Sequence, residues 1–285
     1  MTRTVLRRGS CEVIMGPGMP TVIIGEKINP TGRKKFAQAL LNGDLSLVRE
    51  DALAQVGAGA DMLDVNVGAA GVNEVELLPK AVKLVSEVVD VPLCIDSSNP
   101  DALAAALEVY EGKALVNSVC GKAASLEKVL PVVKAYGAAV VGLCMDDQGI
   151  PGDVDGRVRI AVKILERAEQ LGIPREDVLI DCLAMTVSSD HMAGRVTLET
   201  LGRISRELKA NTILGASNVS FGLPDRWSIN AAYFSMAIQS GLTSLIMDPN
   251  APGLRRIVKA TDLLMGYDEF AMNYLTDYRQ FTEND

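Results

Sequence analysis

The sequence predicts a single (β/α)8 TIM barrel in the α/β class, and three observations lead there. Eight short apolar runs alternate with stretches of helical periodicity from residue 21 onward. The runs begin about 32 residues apart, the spacing at which eight strand–helix units fill a barrel of roughly 250 residues. Hydrophobic residues make up 48% of the 285 positions and aromatic ones only 4%. The core is therefore aliphatic, as suits parallel strands covered on both faces by helices. A doubly wound open sheet is the alternative, but the chain lacks its G-x-G-x-x-G phosphate turn.

The expected strands are Thr21–Glu26, Met62–Val67, Pro92–Asp96, Ala114–Ser118, Ala139–Leu143, Val178–Asp181, Thr212–Ala216 and Ser244–Met247. Helical periodicity marks Leu45–Ala58, Glu74–Val89, Pro100–Tyr110, Leu126–Tyr136, Val158–Leu171, Leu198–Leu208 and Ile229–Ser240, then 251–265 and 267–278. Gly57-Ala-Gly59, Tyr136-Gly137 and Leu171-Gly172-Ile-Pro174 end three of these helices. No shift in composition marks a second domain. Residues 1–20 read as an N-terminal extension and 21–285 as the barrel. Within the extension, 11–20 is expected to form a small cap or hairpin below the barrel.

A net charge of −8, from 28 basic and 36 acidic residues without like-charge blocks, argues against nucleic acid as a partner. No apolar run approaches the roughly 18–20 residues that cross a bilayer, and residues 1–20 lack an apolar signal core. A cytoplasmic protein without membrane contact is expected. The five cysteines stand singly and His191 is the only histidine, so neither a zinc site nor disulfides are expected, and the metal prediction is none.

Period-two reading of the strands places a polar residue last on the inward face of most of them. The inward sets are Ile24 and Glu26; Met62, Asp64 and Asn66; Cys94 and Asp96; Leu115 and Asn117; Leu179 and Asp181; the seventh strand runs into Gly215-Ala-Ser217-Asn218-Val-Ser220. Burying so many acceptors without partners costs several kcal/mol each, roughly, so a ligand at the mouth is the economical explanation. Rich in acceptors and poor in cations, the ring suits a flat heterocycle with several N–H donors better than a phosphate or carboxylate. A pterin has such an edge. Magnesium on the carboxylates is the main competing reading. A Schiff-base aldolase fits less well, since no predicted strand carries an interior lysine. A serine hydrolase finds neither its G-x-S-x-G elbow nor a histidine there.

Gly25-Glu-Lys-Ile-Asn-Pro-Thr-Gly32, Leu63-Asp-Val-Asn-Val-Gly68, Leu93-Cys-Ile-Asp-Ser-Ser98 and Gly215-Ala-Ser-Asn-Val-Ser220, in this order, resemble the pterin-binding family over about residues 21–265. That family includes dihydropteroate synthase, the folate domain of cobalamin-dependent methionine synthase, and the methyltetrahydrofolate–corrinoid protein methyltransferases. Val116-Asn-Ser118, Gly149-Ile-Pro151 and Ser217-Asn-Val-Ser220 followed by Arg226 are most similar to the methyltransferases. Strand eight ends Ile246-Met-Asp-Pro-Asn250 without the histidine that dihydropteroate synthase uses for its anion.

The resemblance implies that Asp96, Asn117 and Asp181 hold the pterin ring, with Asn218 at N5 as the catalytic residue and Arg226 near the folate. It implies tetrahydrofolate or 5-methyltetrahydrofolate as substrate, a corrinoid (cobalamin) carried by a partner protein, and a homodimer. The expected reaction moves the N5-methyl group between methyltetrahydrofolate and cobalt, in a direction the sequence leaves open. The alternatives are a dihydropteroate synthase-like enzyme and a folate or corrinoid binding module without catalysis. Phe221 stands where some of these methyltransferases carry glutamine. His191, in Ser189-Asp-His-Met-Ala-Gly194, matches only the H-x-x-G half of a cobalt-ligating D-x-H-x-x-G loop. It reads as an ordinary loop residue, so the corrinoid is expected on another protein.

Overall fold

The computed structural model describes residues 3–282. Its chain order is β1 (Thr4–Arg8), β2 (Cys11–Met15), β3 (Val22–Ile28), α1 (Lys34–Leu41), α2 (Ser46–Gly57), β4 (Met62–Asn66), α3 (Glu74–Val88), β5 (Leu93–Asp96) and α4 (Pro100–Glu108). There follow β6 (Gly112–Lys113), β7 (Leu115–Cys120), α5 (Ala123–Tyr136), β8 (Ala139–Leu143), α6 (Val154–Gln170), β9 (Val178–Asp181) and α7 (Ala193–Arg203). Then come β10 (Asn211–Gly215), α8 (Arg226–Gln239), β11 (Ser244–Met247), α9 (Leu254–Leu264) and α10 (Met272–Thr282).

Eight strands close a parallel barrel in the order β10-β11-β3-β4-β5-β7-β8-β9, as the strand spacing predicts. The side chains sort by parity. Ile24, Met62, Cys94, Leu115, Ala139, Leu179 and Ile213 pack together inside the barrel. Ile23, Leu63, Leu93, Val116, Val140, Ile180 and Leu214 pack outward beneath the helices. Each such Val, Leu, Ile or Met side chain removed from water contributes about 1.5–3 kcal/mol, so a one-residue slip in any strand would be strongly opposed.

Four helices start earlier than their apolar periodicity does. Helices α5, α6, α7 and α8 begin three to five residues ahead of expectation. Two of them are set by caps: the Asp153 carboxylate accepts from Gly156 N (2.8 Å) at α6, and Asp225 accepts from Ser228 N at α8. The short α1 escapes the sequence reading altogether. After α7 the chain widens into one π-helical turn, Ile204–Leu208, closed by Lys209 at φ +51°. Strand β3 runs past a register shift to Ile28 and so takes in Lys27. That ammonium is half exposed and pairs with Asp248 (2.8 Å), so it is not a buried nucleophile.

Strands β1 and β2 form an antiparallel hairpin, and β6 pairs with β1 as a third strand. The hairpin therefore begins seven residues ahead of the 11–20 segment expected for it. Leu6 and Met15 join the apolar cluster inside the barrel. Asn211 Nδ2 donates to Thr4 Oγ1 (2.8 Å) and Tyr110 Oη to the Arg7 carbonyl (3.1 Å). The N-terminal end of the barrel is thus covered, leaving the opposite end as the open mouth.

The third strand depends on Gly112, at φ +143°, where an added Cβ would lie 2.0 Å from the Arg7 carbonyl oxygen. Gly112→Ala should cost about 1–3 kcal/mol by forcing β6 off β1, lowering Tm by a few degrees in a thermal melt. An unchanged Tm would show that this strand pairing contributes nothing to stability.

Candidate active site at the strand ends

Strand register determines which polar side chains meet. Asp64 lies beside Cys94, Asn66 beside Asp96, and Asp96 beside Asn117 across β4, β5 and β7. Asn66 Nδ2 donates to Asp96 Oδ2 (2.8 Å) while its Oδ1 accepts from Gly68 N (2.7 Å). Asn117 Nδ2 donates to Asp64 Oδ1 (3.1 Å). Asp96 and Asn117, singled out from the sequence, therefore form one connected patch with Asn66 and Asp64. Beside it opens a cavity of about 410 Å³, lined by Asp96, Ser97, Ser118, Cys120, Lys128 and Leu143 among others, within the size range of small-molecule sites.

Asp181 stands apart. Strand β8, ending in Leu143, lies between it and Asn117. Its Oδ1 accepts from Leu183 N (2.7 Å). Asn218 lies in a short 3-10 turn, Ala216–Ser220, directly after β10 and is exposed at the rim. Arg226 braces that turn, donating from Nε to Ser220 Oγ (2.9 Å) and from Nη2 to the Ser217 carbonyl (2.7 Å). Among the described residues no direct hydrogen bond joins the Asp96 patch to Asp181 or Asn218. They face one another across the mouth.

Carboxylates gathered in a dry place resist ionisation. Burial pushes Asp96 up to about 6, against the Asn66 donor that lowers it. Burial likewise pushes Asp181 up to about 6, opposed by the N–H groups of Leu183 and Gly215 and by the Arg157 charge. Glu26 rises to about 7 through burial and then Asp248, against Lys27 and Arg226. Asp64, buried beside Asp96, is held well above the ordinary carboxylate range. The mouth can thus present neutral or ionised carboxyl groups within one pH unit or so of neutrality.

The mouth is poor in cations: Lys27 is paired with Asp248 and Arg226 is occupied by the Asn218 turn. Among the described residues no group of three or more His, Cys, Asp or Glu is placed to hold a metal ion. Phe221 is 66% exposed, yet its carbonyl accepts from Thr186 Oγ1 (2.6 Å) and Ser188 Oγ (3.0 Å), and the Arg226 guanidinium lies 5.9 Å from its ring. His191 is exposed in the loop between β9 and α7.

Sequence reasoning missed Arg157. This residue is 2% exposed and donates to the carbonyls of Pro151, Cys182 and Leu183 and to Thr197 Oγ1. It precedes the periodicity of α6, and a charged residue in a first turn ordinarily faces water.

Comparison with known proteins bears on the fold and the family. Solved dihydropteroate synthases share the fold. That of Xanthomonas albilineans superposes with a TM-score of 0.68 at 19% identity, covering 92% of this chain and 98% of that one. A methylcorrinoid:tetrahydrofolate methyltransferase of Eubacterium limosum is 31% identical over 267 residues, spanning 91% of this chain and 96% of the relative. The methionine synthase of Mycobacterium leprae is 32% identical over 243 residues, which are 80% of this chain but 20% of that enzyme. The profile of the pterin binding enzymes matches residues 25–248, from the middle of β3 to just past β11. On that match, and on the relatives that span it, the chain belongs to the pterin-binding enzyme family.

Proposed function

We propose that this protein transfers a methyl group between the cobalt of a corrinoid carried by a partner protein and N5 of tetrahydrofolate. The observation that carries the reading is the acceptor-rich, cation-poor mouth formed by Asp96, Asn117, Asp181 and Asn218. Its support is the full-length likeness to a methylcorrinoid:tetrahydrofolate methyltransferase, whose direction we adopt for the physiological reaction. Likeness to dihydropteroate synthases below 25% identity speaks for the fold alone.

In this reading Asp96 and Asp181 accept the N–H donors of the pterin edge and Asn117 pairs with a mixed donor and acceptor edge. Asn218, exposed at the rim, meets N5 on the side from which the cobalt approaches. Attack by N5 forms the N–CH₃ bond as the Co–CH₃ bond breaks, and its electron pair stays on cobalt, which goes from Co(III) to Co(I). N5 loses its proton to solvent through the hydrogen-bonded mouth. In reverse, Co(I) attacks the methyl group and N5 takes up a proton as the C–N bond breaks. The primary amide of Asn218 serves either direction, because it offers both an acceptor and a donor.

The test is anaerobic turnover of the purified protein with tetrahydrofolate and methylcob(III)alamin, free or on a carrier protein. The protein should be isolated free of cobalt and should form methyltetrahydrofolate together with cob(I)alamin. Tight folate binding without transfer from either corrinoid source would make the protein a binding module instead. Stoichiometric cobalt in the isolated chain would overturn the division of labour between the two proteins and return attention to His191.

A further inference from the structure

The buried cation beside the mouth has work to do that the ring of acids does not explain. Arg157 Nη1 donates to the carbonyls of Cys182 (2.8 Å) and Leu183 (2.9 Å) and to Thr197 Oγ1 (3.0 Å), and Nε donates to the Pro151 carbonyl (2.9 Å). Among the described residues no carboxylate lies within 4 Å of it. A guanidinium keeps its proton in any protein interior, and a buried charge persists only where other groups answer it.

The answering anion is Asp181, one peptide group away. The Cys182–Leu183 peptide accepts from Arg157 at its carbonyl oxygen and donates to Asp181 Oδ1 (2.7 Å) at its N–H. Guanidinium, peptide and carboxylate thus stand in one polarised chain, in which each bond strengthens the next. Leu183 itself sits at φ +61°, a left-handed conformation that leucine rarely adopts. It is held from both sides: Asp181 takes its N–H, and Arg157 and Thr197 Oγ1 (3.2 Å) donate to its carbonyl. Backbone strain of this kind survives only where the surroundings over-determine it.

We propose that Arg157 is a positioning residue for the folate site: through the Cys182–Leu183 peptide it fixes the Asp181 carboxylate toward the mouth and answers its charge. The groups that face Asp181 support this. Arg157 reaches it from α6, Tyr233 from α8, Cys182 from the next position, and Cys144 from the end of β8 by way of Cys182. Burial raises the Tyr233 hydroxyl and the Cys182 thiol, so neither supplies charge near pH 7. The N–H groups of Leu183 and Gly215 oppose the burial of Asp181, and Arg157, bonded to the peptide that carries the first of them, is the one full charge that does so.

The consequence for affinity rests on the folate reading; the consequence for Asp181 does not. Two readouts separate them. Tetrahydrofolate affinity of the full chain is measured by calorimetry from pH 5.5 to 8.5 for wild type, Arg157→Gln and Arg157→Lys. Titration of the Asp181 carboxyl is followed without ligand by its carbon-13 resonance, assigned with Asp181→Asn. In Arg157→Gln the Asp181 midpoint should move up by about one pH unit. Affinity should then fall about fivefold at pH 6 and converge to within about twofold of wild type at pH 8. A purely structural loss would weaken binding equally at every pH.

Arg157→Lys keeps the charge but cannot reach the Pro151 carbonyl and the Cys182 and Leu183 carbonyls from two separate nitrogens as Nε and Nη1 do, so its shift should have the same sign and about half the size. An unmoved carbon-13 midpoint in Arg157→Gln overturns the proposal. Should that variant fail to fold, an unmoved midpoint in Arg157→Lys does the same. Wild type that binds no tetrahydrofolate at any pH sinks the folate reading while leaving the carbon-13 test to decide the role of Arg157.

Discussion

Asn218→Ala should slow methyl transfer about a hundredfold while changing tetrahydrofolate affinity less than about threefold, because only contacts that strengthen in the transition state accelerate a reaction. The substitution is a clean probe of the amide. The turn that carries Asn218 is braced by Arg226 on the Ser217 carbonyl and Ser220 Oγ, and by Phe221 N on the Asn218 carbonyl (3.1 Å). None of these bonds uses the Asn218 side chain, so its removal leaves the backbone in place. Single-turnover rates with saturating folate and corrinoid, set beside calorimetric Kd values, separate the two effects. A loss confined to Kd would make Asn218 a positioning residue and leave the proton at N5 to another group.

Asp96→Asn and Asp181→Asn should each weaken tetrahydrofolate binding by about 1.5–3 kcal/mol, or roughly 10–150-fold in Kd, the scale of hydrogen bonds to a charged acceptor. The amide offers one acceptor where the carboxylate offers two, and it presents a donor to a donor edge. The same assignment fixes the sign of a pH effect. Burial pushes both carboxyls up to about 6, and only the ionised form accepts two N–H bonds, so wild-type affinity should decline as pH falls through about 6. Each asparagine variant should lose its share of that decline. Calorimetry between pH 5.5 and 8 reads both results, and unchanged affinity in both variants would sink the assignment.

How far the site was legible depended on where its information is written. Strand parity is written locally: Met62, Asp64 and Asn66 share one face with no reference to the rest of the chain, and so do Cys94 and Asp96. Closing the barrel then brings those faces together in register. The convergence of Asp96 with Asn117 followed from period two and the order of strands. The Asn117–Asp64 bond did not, because it depends on how far neighbouring strands are staggered. Arg157 was invisible for a different reason. Its partners are backbone carbonyls at 151, 182 and 183, and a carbonyl has no letter in the sequence. Helix α1 was missed because its eight residues bury only Phe36 and Leu40, too few to establish a period.

The raised carboxyls of the mouth also bear on the protein when nothing is bound. A group that ionises less readily folded than unfolded binds more protons in the folded state, and stability then declines as pH rises through the interval between the two values. For Asp96, Asp181 and Glu26 that interval ends at about 6 to 7. At neutral pH the empty molecule therefore holds charge in a dry place of its own making, a cost that donors on a ligand would relieve. Vacancy and occupancy differ in resilience as well as in shape. Substitutions that remove this buried charge would harden the scaffold while blunting what it grips. The same acids that make the mouth selective make it costly to leave unfilled.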